Sequence, residues 1–341
     1  MSELEELPSF ASRLIAWQRV YGRHDLPWQR ADAYWVWLSE IMLQQTQVAT
    51  VIPYFQRFIA SFPNVAALAA ASEEAVLSHW SGLGYYARGR NLHRAAQIIV
   101  ARHGGIFPTE YEQILALPGI GRSTAAAICS LAYQQRRAIL DGNVRRVLAR
   151  HRGIEGAPTV KSVENRLWEI AESLLPAAEP GRYTQALMDM GATLCTRNRP
   201  RCSVCPVAAD CAALLTCRVD ELPTPKVRRA VPERSAVFML ALAQGEVLLE
   251  KRESSGLWGG LLCLPQFDEE WQADSRVWEV CERVEMPAFT HTFTHFRLHI
   301  STQLLRLNEK PCGTRGGIWL RLDDALSAAI PTPVRRLLEQ L

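Results

Sequence analysis

The chain has 341 residues, of which 48% are hydrophobic and 21% are charged, a balance typical of globular proteins with two or three domains. The net charge of +3 is unevenly distributed: residues 1–215 carry 22 Lys and Arg against 18 Asp and Glu, and residues 216–341 carry 16 against 17. The acidic N-terminus lacks a secretion-signal pattern and no apolar run approaches a membrane span, so we expect an intracellular, cytoplasmic protein.

Helical periodicity dominates the first half of the chain. Residues 7–21 place apolar side chains at helical spacing, and Gly22 ends the pattern. A long helical region is predicted over 34–62 with an interruption at Pro53, and two more helices are predicted within 73–103. This half shows no sustained alternation of polar and apolar residues, so we predict that it is all-α.

Glu40 lies in the first half of the 34–62 region. Trp37, Ile41 and Gln44 stand at the helical spacings that share its face, and no basic residue lies within one turn. Desolvation in such a setting would raise the pKa of Glu40 and suit it to donate a proton near neutral pH. The pattern alone somewhat favours the alternative, in which Glu40 faces solvent from the polar side of its helix.

Residues 82–88, GLGYYAR, combine glycines, aromatic side chains and an arginine. Such a loop could meet nucleic-acid bases and phosphates, or it could simply end a helix and bury its tyrosines. Both interpretations remain open on the pattern.

Residues 117–121, LPGIG, end one short helix and precede another that begins at Arg122. Two glycines allow a tight hairpin and a close approach to another surface. The amides of the hairpin and of the following first helical turn have no intrahelical acceptor, so they can bind an anion. Several arginines downstream make nucleic-acid phosphate the expected anion, although the motif alone would also suit an ordinary helical turn.

Four cysteines follow the helical region at the spacing Cys195-x6-Cys202-x2-Cys205-x5-Cys211. Nine cysteines in a reducing compartment are expected to be thiols rather than disulfides. Four thiolates within seventeen residues can bind either a [4Fe–4S] cluster or a structural zinc ion.

Residues 218–233 are rich in proline and charge and predict a linker. Beyond them, residues 235–253 alternate around Gly245, which predicts a β-hairpin. We further predict a helix near 274–284, strands at 289–307 and 316–321, and a closing helix at 332–340. The second domain is therefore expected to be α+β.

Five motifs together resemble one family over almost the whole chain. They are SEIMLQQTQV, LPGIG followed by LDGNVRRV, the 6-2-5 cysteine spacing, SGLWGGLLCLPQF and FTHTFTHFRLHI. They resemble the MutY-type adenine DNA glycosylases of the helix-hairpin-helix superfamily, to which endonuclease III belongs. The resemblance implies an all-α catalytic region over 1–217 and a Nudix-like domain that recognises 8-oxoguanine over 234–341. Within the first region it implies a helical module over about 32–134 and an iron–sulfur module formed by 7–31 and 135–217.

The resemblance also assigns the chemistry. Glu40 is expected to protonate the departing adenine, and Asp141 to stabilise the resulting oxocarbenium-like sugar. At a helix N-cap Asp141 would accept backbone N–H bonds and stay ionised. Asn143 is expected to position the purine or the water. The four cysteines, at the family's spacing, are expected to hold a [4Fe–4S] cluster.

Ser123 departs from the bifunctional members of the superfamily, which have a Schiff-base lysine at this place. A serine hydroxyl cannot form an imine, and neither can Arg145, which stands where some relatives carry lysine. The resemblance therefore implies a monofunctional glycosylase without an efficient lyase step. Ser123 could hydrogen-bond near the reacting centre or only cap its helix.

The target base must leave the duplex, so further residues are expected to hold DNA and base. Residues expected to contact DNA are Gln45, Tyr85, Pro118, Gly119, Gly121, Arg122, Arg145, Phe293, Thr294 and His295, of which Gln45 and Tyr85 intercalate and the last three meet 8-oxoguanine. The expected adenine pocket consists of Trp28, Leu43, Thr46, Gln185 and Met188. Residues 269–285 lack the glutamate-rich pattern of working Nudix hydrolases, so this domain is expected to recognise and not to hydrolyse.

Two alternatives remain for the function. One is a bifunctional glycosylase/lyase like endonuclease III, against which Ser123 and the whole 234–341 domain argue. The other is a catalytically silent iron–sulfur protein that binds DNA, which would predict loss of Glu40 or Asp141. The expected partner is double-stranded DNA with an adenine paired with 8-oxoguanine or guanine, and nothing in the sequence asks for more than a monomer.

Overall fold

The computed structural model describes residues 8–225, 231–253, 256–267, 278–311 and 317–341. The chain divides into two compact units, which we call the helical unit (Met1–Ala69 with Arg94–Arg228) and the sheet unit (Ala70–His93 with Arg229–Leu341). Among the described residues, no helix combines the length and the apolar character needed to cross a membrane.

The helices and strands are numbered in chain order. The helices are α1 (Phe10–Tyr21), α2 (Ala33–Leu43), α3 (Val48–Ser61), α4 (Val65–Ala70), α5 (Glu73–Trp80), α6 (Ala87–His103), α7 (Tyr111–Leu115), α8 (Arg122–Tyr133), α9 (Gly142–His151), α10 (Lys161–Ser173), α11 (Pro180–Thr193), α12 (Ala212–Leu215), α13 (Leu322–Ser327) and α14 (Thr332–Leu338). The strands are β1 (Glu233–Ala243), β2 (Glu246–Lys251), β3 (Leu262–Cys263), β4 (Gln266–Phe267), β5 (Val280–Thr292), β6 (Arg297–Leu307) and β7 (Gly317–Arg321).

The predicted all-α character of the first half is confirmed, but the break in the 34–62 region lies elsewhere than expected. Helix α2 is capped by Asp32, whose side chain accepts from the amides of Tyr34 and Trp35, and it ends at Leu43. The chain turns at Gln45, which has a φ of 58°. Pro53 lies inside α3, where buried apolar side chains hold the helix against the loss of one backbone hydrogen bond.

One hydrophobic cluster of the helical unit is formed mainly by α1, α8, α9, α10 and α11. Leu14, Leu148, Leu167 and Ala186 are fully buried in it. A Cβ on Gly191 of α11 would lie 2.6 Å from the Cβ of Asn143. Glycine is therefore what allows α11 to approach the first turn of α9, where the candidate chemistry lies.

The sheet unit contains a mixed sheet with the order β3-β2-β1-β6-β5, to which β4 adds on β1 and β7 on β2. Strand β1 runs parallel to β6 and antiparallel to β2. The predicted hairpin around Gly245 is confirmed, with Ala243 opposite Glu246 and a φ of 78° at the glycine. The closing helix and the strand ending at Arg321 are also found.

The predicted helix near 274–284 is wrong over its second half. Residues 268–277 lie outside the described residues, and from Val280 the chain is strand β5, paired antiparallel with β6. The pairing partners of residues 280–284 lie 20 to 27 residues downstream, so local spacing of glutamates and valines was a poor guide. The strand predicted over 289–307 is divided by a hairpin tip into β5 and β6.

Residues of the first half also contribute to the sheet unit. The Ser78 and Ser81 hydroxyls donate to the carbonyl oxygens of Ser327 and Ile330, each at 2.9 Å. The Tyr86 hydroxyl also donates to Ile330, at 3.3 Å. The segment from α5 to the GLGYYAR loop is therefore tied to the loop between α13 and α14.

Candidate functional site

Glu40 lies in the last turns of α2 beside the buried side chains of Trp37, Ile41 and Met42. Burial and, as the smaller cause, the nearby Asp141 carboxylate together raise the pKa of Glu40 to about 8. Glu40 is thus partly buried rather than on a fully solvated helix face. At neutral pH its carboxyl group carries a proton that it can donate.

Asp141 is the N-cap of α9, as the turn predicted. Its Oδ1 accepts from the amide of Val144 at 2.7 Å. Burial raises the pKa of Asp141, whereas the amides of Val144 and Asn143 and the guanidinium of Arg146 oppose the rise. The expectation that Asp141 stays ionised considered only its hydrogen bonds and left out burial, which has the largest effect on its pKa. The hydrogen bonds that Asp141 accepts favour its ionised form, and its charge raises the pKa of Glu40.

Ser123 supports the turn that carries Asp141. Its hydroxyl oxygen accepts from the amide of Leu140 at 3.0 Å, and the N-cap of its own helix α8 is Gly121. Arg145 holds the same turn, since its guanidinium donates to Leu140, Pro158 and the Glu164 carboxylate. Two roles were left open for Ser123, a hydrogen bond near the reacting centre and a helix cap. The structure shows the first, a hydrogen bond to the residue before Asp141.

Asn143 is held by Arg146, one turn along α9. The Nη2 of Arg146 donates to the Asn143 Oδ1 at 2.8 Å and to the Gly191 carbonyl at 2.7 Å. Its Nε donates to the carbonyl of Cys195 at 2.7 Å. The amide oxygen of Asn143 is thereby fixed in position beside Asp141.

The LPGIG hairpin has the conformation that its glycines predicted. Gly119 has a φ of 79°, Pro118 is partly exposed, and a Cβ on Gly121 would meet open space. Arg122 is exposed, stacks over the ring of Trp168 at 3.8 Å and pairs with a glutamate at 2.6 Å. The hairpin backbone and the first-turn amides of α8 are therefore open to an approaching phosphate.

Gln45 and Tyr85 are both exposed residues in the left-handed backbone region, with φ values of 58° and 48°. Tyr85 is 44% exposed although its ring is large and apolar. Non-glycine residues adopt this conformation at an energetic cost, and they concentrate at functional positions. Each side chain is thus presented outward at the tip of its own loop.

Two of the five residues expected around the adenine, Trp28 and Gln185, line one cavity of about 470 Å³. Ser39, the neighbour of Glu40, and Gln134 also lie in its wall. The remaining three expected residues are partly buried and are not among those that line this cavity: Leu43, Thr46 and Met188.

Asp189 is a residue that the sequence analysis missed. Its side chain is fully buried, and it accepts from the amide and the guanidinium of Arg23 and from the side-chain amide of Gln185. Gln185 and Asp189 are four residues apart on α11, so the sequence shows that they share a helix face. The sequence does not show that Arg23, from the loop after α1, is a partner of Asp189.

The side chains of Cys195, Cys202, Cys205 and Cys211 line a single cavity. Burial raises the pKa of Cys205 to about 11, and the neighbouring thiols add to it. Among the described residues, no group of three or more His, Cys, Asp or Glu side chains has the arrangement of a metal-ion site. The four thiols do line a common space, so one ligand could contact all of them.

A buried cation lies beside this space. The buried Arg150 on α9 lies with its Nη1 3.5 Å from the Sγ of Cys195. An anionic set of four thiolates is stabilised by such a cation. Cys217 is exposed and is not among the residues that line the cavity.

In the sheet unit the FTHF segment forms the tip between β5 and β6. The amide of Phe293 donates to the carbonyl of Phe296, which leaves Thr294 and His295 exposed at the tip. The two phenylalanine rings stack at 4.5 Å, and the ring of Trp258 lies 5.7 Å from Phe293. The Tyr85 hydroxyl lies 2.6 Å from the Thr294 hydroxyl, so both expected DNA-contacting loops of this unit meet.

Comparison with known proteins adds four findings. The chain matches the HhH-GPD superfamily base excision DNA repair proteins over residues 38–173 and the NUDIX domain over residues 236–340. It is 38% identical over 340 residues to the adenine DNA glycosylase of Buchnera aphidicola subsp. Acyrthosiphon pisum, covering 97% of each chain. It is 33% identical over 415 residues to the adenine DNA glycosylase of Homo sapiens, covering 98% of this chain and 74% of that protein. A solved thermostable thymine-DNA glycosylase matches with a TM-score of 0.55 and 27% identity, over 61% of this chain and 96% of that one.

Proposed function

Because this chain belongs to the adenine DNA glycosylases of the HhH-GPD superfamily, we propose that it excises adenine paired with 8-oxoguanine or guanine from double-stranded DNA. It does so by hydrolysing the N-glycosidic bond in base excision repair. The observation that carries the proposal is that Glu40, whose pKa is raised to about 8, lies near enough to the N-capping Asp141 for the two carboxyl groups to interact. We further propose that the helical residues 1–217 perform the chemistry and residues 234–341 read the opposite base.

Two carboxyl groups in different protonation states suit this bond cleavage. Glu40 donates its proton to the imidazole-ring nitrogen of adenine, which makes the base a better leaving group. Asp141 stabilises the oxocarbenium-like sugar that remains, or captures it covalently, before water attacks. Asn143, fixed by Arg146, positions the purine or the attacking water.

The absence of a suitable amine supports a monofunctional reaction. Ser123 stands where a Schiff-base lysine would be required, and its hydroxyl is engaged by Leu140. The sequence of residues 1–215 contains a single lysine, Lys161, whose side chain is 80% exposed and pairs with Glu164. The endonuclease III-like alternative therefore lacks its nucleophile in the region that carries the carboxylates.

DNA is bound through backbone and loop contacts. The open amides of the 117–121 hairpin bind phosphate with the help of Arg122, while Arg145 holds the adjacent turn. Gln45 and Tyr85, each presented on a left-handed residue, fill the space that an extruded base leaves in the stack. The adenine then enters a pocket that includes Trp28 and Gln185, with Leu43, Thr46 and Met188 around it.

The opposite base is read by the hairpin tip of the sheet unit. Thr294 and His295 can hydrogen-bond the edge of 8-oxoguanine, and Phe293 can wedge beside it because Phe296 and Trp258 support its ring. The sequence of this domain lacks the glutamate pattern of Nudix hydrolases, which supports recognition without hydrolysis.

We propose that the four cysteines, Cys195, Cys202, Cys205 and Cys211, hold a [4Fe–4S] cluster, which would crosslink the loop between α11 and α12. The shared cavity and the nearby Arg150 support this ligand set. Two arginines of α9, Arg146 and Arg150, also hold this loop, because their guanidinium groups donate to backbone carbonyl oxygens of the loop. The expected place of work is the cytoplasm, with the chromosomal DNA, as a monomer.

The test uses a duplex with one adenine opposite 8-oxoguanine and analyses the strand with and without hot alkali. We expect nicks only after alkali, because excision leaves an abasic site and no lyase acts on it. Nicks without alkali would overturn the monofunctional proposal. An intact strand in both arms, with tight binding retained, would favour a silent DNA-binding protein.

A further inference from the structure

Asp189 is a fully buried carboxylate with three hydrogen-bond donors around it. Its Oδ2 accepts from the Arg23 amide at 3.0 Å, and its Oδ1 accepts from the Arg23 Nε and the Gln185 Nε2, both at 2.8 Å. The ion pair with Arg23 compensates its charge. The carboxylate is thus locked in place by partners from the loop after α1 and from α11.

This lock decides which way the Gln185 amide faces. An ionised carboxylate only accepts hydrogen bonds, so Gln185 must turn its NH2 group toward Asp189. Its carbonyl oxygen is then the end of the amide that does not face Asp189, and Gln185 lines the cavity of about 470 Å³. Without Asp189 the two ends of the amide would be nearly equivalent in shape, and either could face the cavity.

We propose that Asp189 is a positioning residue that sets the base preference through Gln185, by forcing an acceptor rather than a donor toward the bound base. An acceptor at this place binds the exocyclic amine of adenine and repels the carbonyl oxygen that hypoxanthine carries at the same position. The inference rests on the proposed function, since it assumes that the base enters the pocket containing Gln185.

The first experiment uses the full-length native protein and three duplexes, with adenine, unsubstituted purine or hypoxanthine opposite 8-oxoguanine. Single-turnover excision rates should rank adenine first, purine second and hypoxanthine third. The Gln185 carbonyl oxygen would accept a hydrogen bond from the amine of adenine, find no partner on purine and be repelled by the carbonyl oxygen of hypoxanthine. Hypoxanthine excised as fast as purine would overturn the inference. No excision of adenine at all would instead refute the proposed function.

The second experiment compares Asp189→Leu with Arg23→Lys. The lysine keeps a positive charge beside the buried carboxylate, so Asp189 still accepts from the Gln185 amide, whereas Asp189→Leu frees that amide. We expect Asp189→Leu to reduce the preference for adenine over hypoxanthine about tenfold, the size expected for one buried hydrogen bond, and Arg23→Lys to leave that ratio unchanged. If Asp189→Leu lowered the excision rates of adenine and hypoxanthine equally, Asp189 would have only a structural role.

A double-mutant cycle separates action through Gln185 from general damage. In the Gln185→Leu background, Asp189→Leu should have no further effect on the adenine-to-hypoxanthine ratio, because the amide that it orients is gone. A ratio that changes equally in both backgrounds would contradict the inference. Because the native-protein ranking needs no variant, the proposal can be refuted even if Asp189→Leu does not fold.

Discussion

The hydroxyl of Ser123 accepts a 3.0 Å hydrogen bond from the amide of Leu140, the residue directly before Asp141. Ser123 is the second residue of α8, the helix that follows the 117–121 hairpin. One side chain therefore joins the proposed phosphate-binding hairpin to the turn that carries the proposed catalytic carboxylate. Placement of DNA and placement of Asp141 are coupled through it.

Replacing Ser123 with alanine should therefore weaken both folding and excision. The buried Leu140 amide would lose its acceptor, which costs about 1–3 kcal/mol of unfolding free energy. The excision rate should fall with it, because the Asp141 turn loosens. Urea unfolding and single-turnover excision measure the two effects. Ser173→Ala, at an exposed serine that bonds Ile170 one turn earlier, is the control and should change neither by much. Similar losses in both variants would contradict the coupling.

Glu40→Gln should abolish proton donation while keeping the shape of the site. We expect the excision rate to drop by about 10²–10⁴-fold, the usual contribution of a general acid, with binding of the mispaired duplex retained. Single-turnover excision and a binding titration on the same duplex provide the measurement. Glu169→Gln, at an exposed glutamate of α10, should behave like the native protein. A Glu40→Gln variant with native activity would mean that another group supplies the proton.

The pH dependence of excision should report the raised pKa of Glu40. Burial and the Asp141 carboxylate raise this pKa to about 8, so the group is protonated and active below that pH. As pH rises through about 8 the proton is lost, and the excision rate should fall by about tenfold for each further pH unit. Single-turnover rates between pH 6 and 10, in buffers of constant ionic strength, test this. A falling limb near pH 4–5 instead would mean that Glu40 is solvated.

The elements that the sequence predicted well are those whose signals are local. Helix α1, the 117–121 hairpin and the Asp141 N-cap each depend on residues within a few positions, and all three were found. Strand β5 was predicted as a helix over 280–284 because its pairing with β6 is not visible in its own residues.

The candidate site shows the same limit. The sequence identified Glu40 as a possible acid but could not decide its solvation, which depends on how α2 packs and on Asp141 a hundred residues away. Asp189 escaped notice because its meaning depends on Arg23, which only the fold brings to it. Residue types were enough to predict the kind of chemistry, but the ionisation of Glu40 and the ion pair of Asp189 depend on tertiary packing.

Loss of a proposed cluster ligand should be distinguishable from loss of a bystander thiol. Cys202→Ser should lower the iron content and the visible absorbance of the purified protein and reduce its thermal stability, because three ligands hold the cluster less well. Cys217→Ser should change none of these, since Cys217 is exposed outside the shared cavity. Iron and zinc analysis of both variants is the measurement. Native protein that contains zinc and no iron would refute the cluster and leave a structural zinc site.

Phe293→Ala should selectively weaken recognition of 8-oxoguanine. The ring of Phe293 is held by the stacked ring of Phe296 and by Trp258, so it can be pressed against a base without first being ordered. Its loss should weaken binding of an adenine:8-oxoguanine duplex by about tenfold, the lower range for one base–aromatic contact. The excision rate at saturating protein should change much less, because the carboxylates lie in the helical unit.

Val284→Ala is the matched control for Phe293→Ala, because Val284 is an exposed apolar residue on β5, the strand that leads to the tip, and lies away from the tip. It should leave binding unchanged. The decisive quantity is the ratio of the dissociation constants for duplexes with guanine and with 8-oxoguanine opposite the adenine. If Phe293→Ala lowers both affinities equally, the tip contacts DNA but does not distinguish the lesion. If only the 8-oxoguanine duplex is affected, the exposed Thr294 and His295 are held at the lesion by the ring that precedes them.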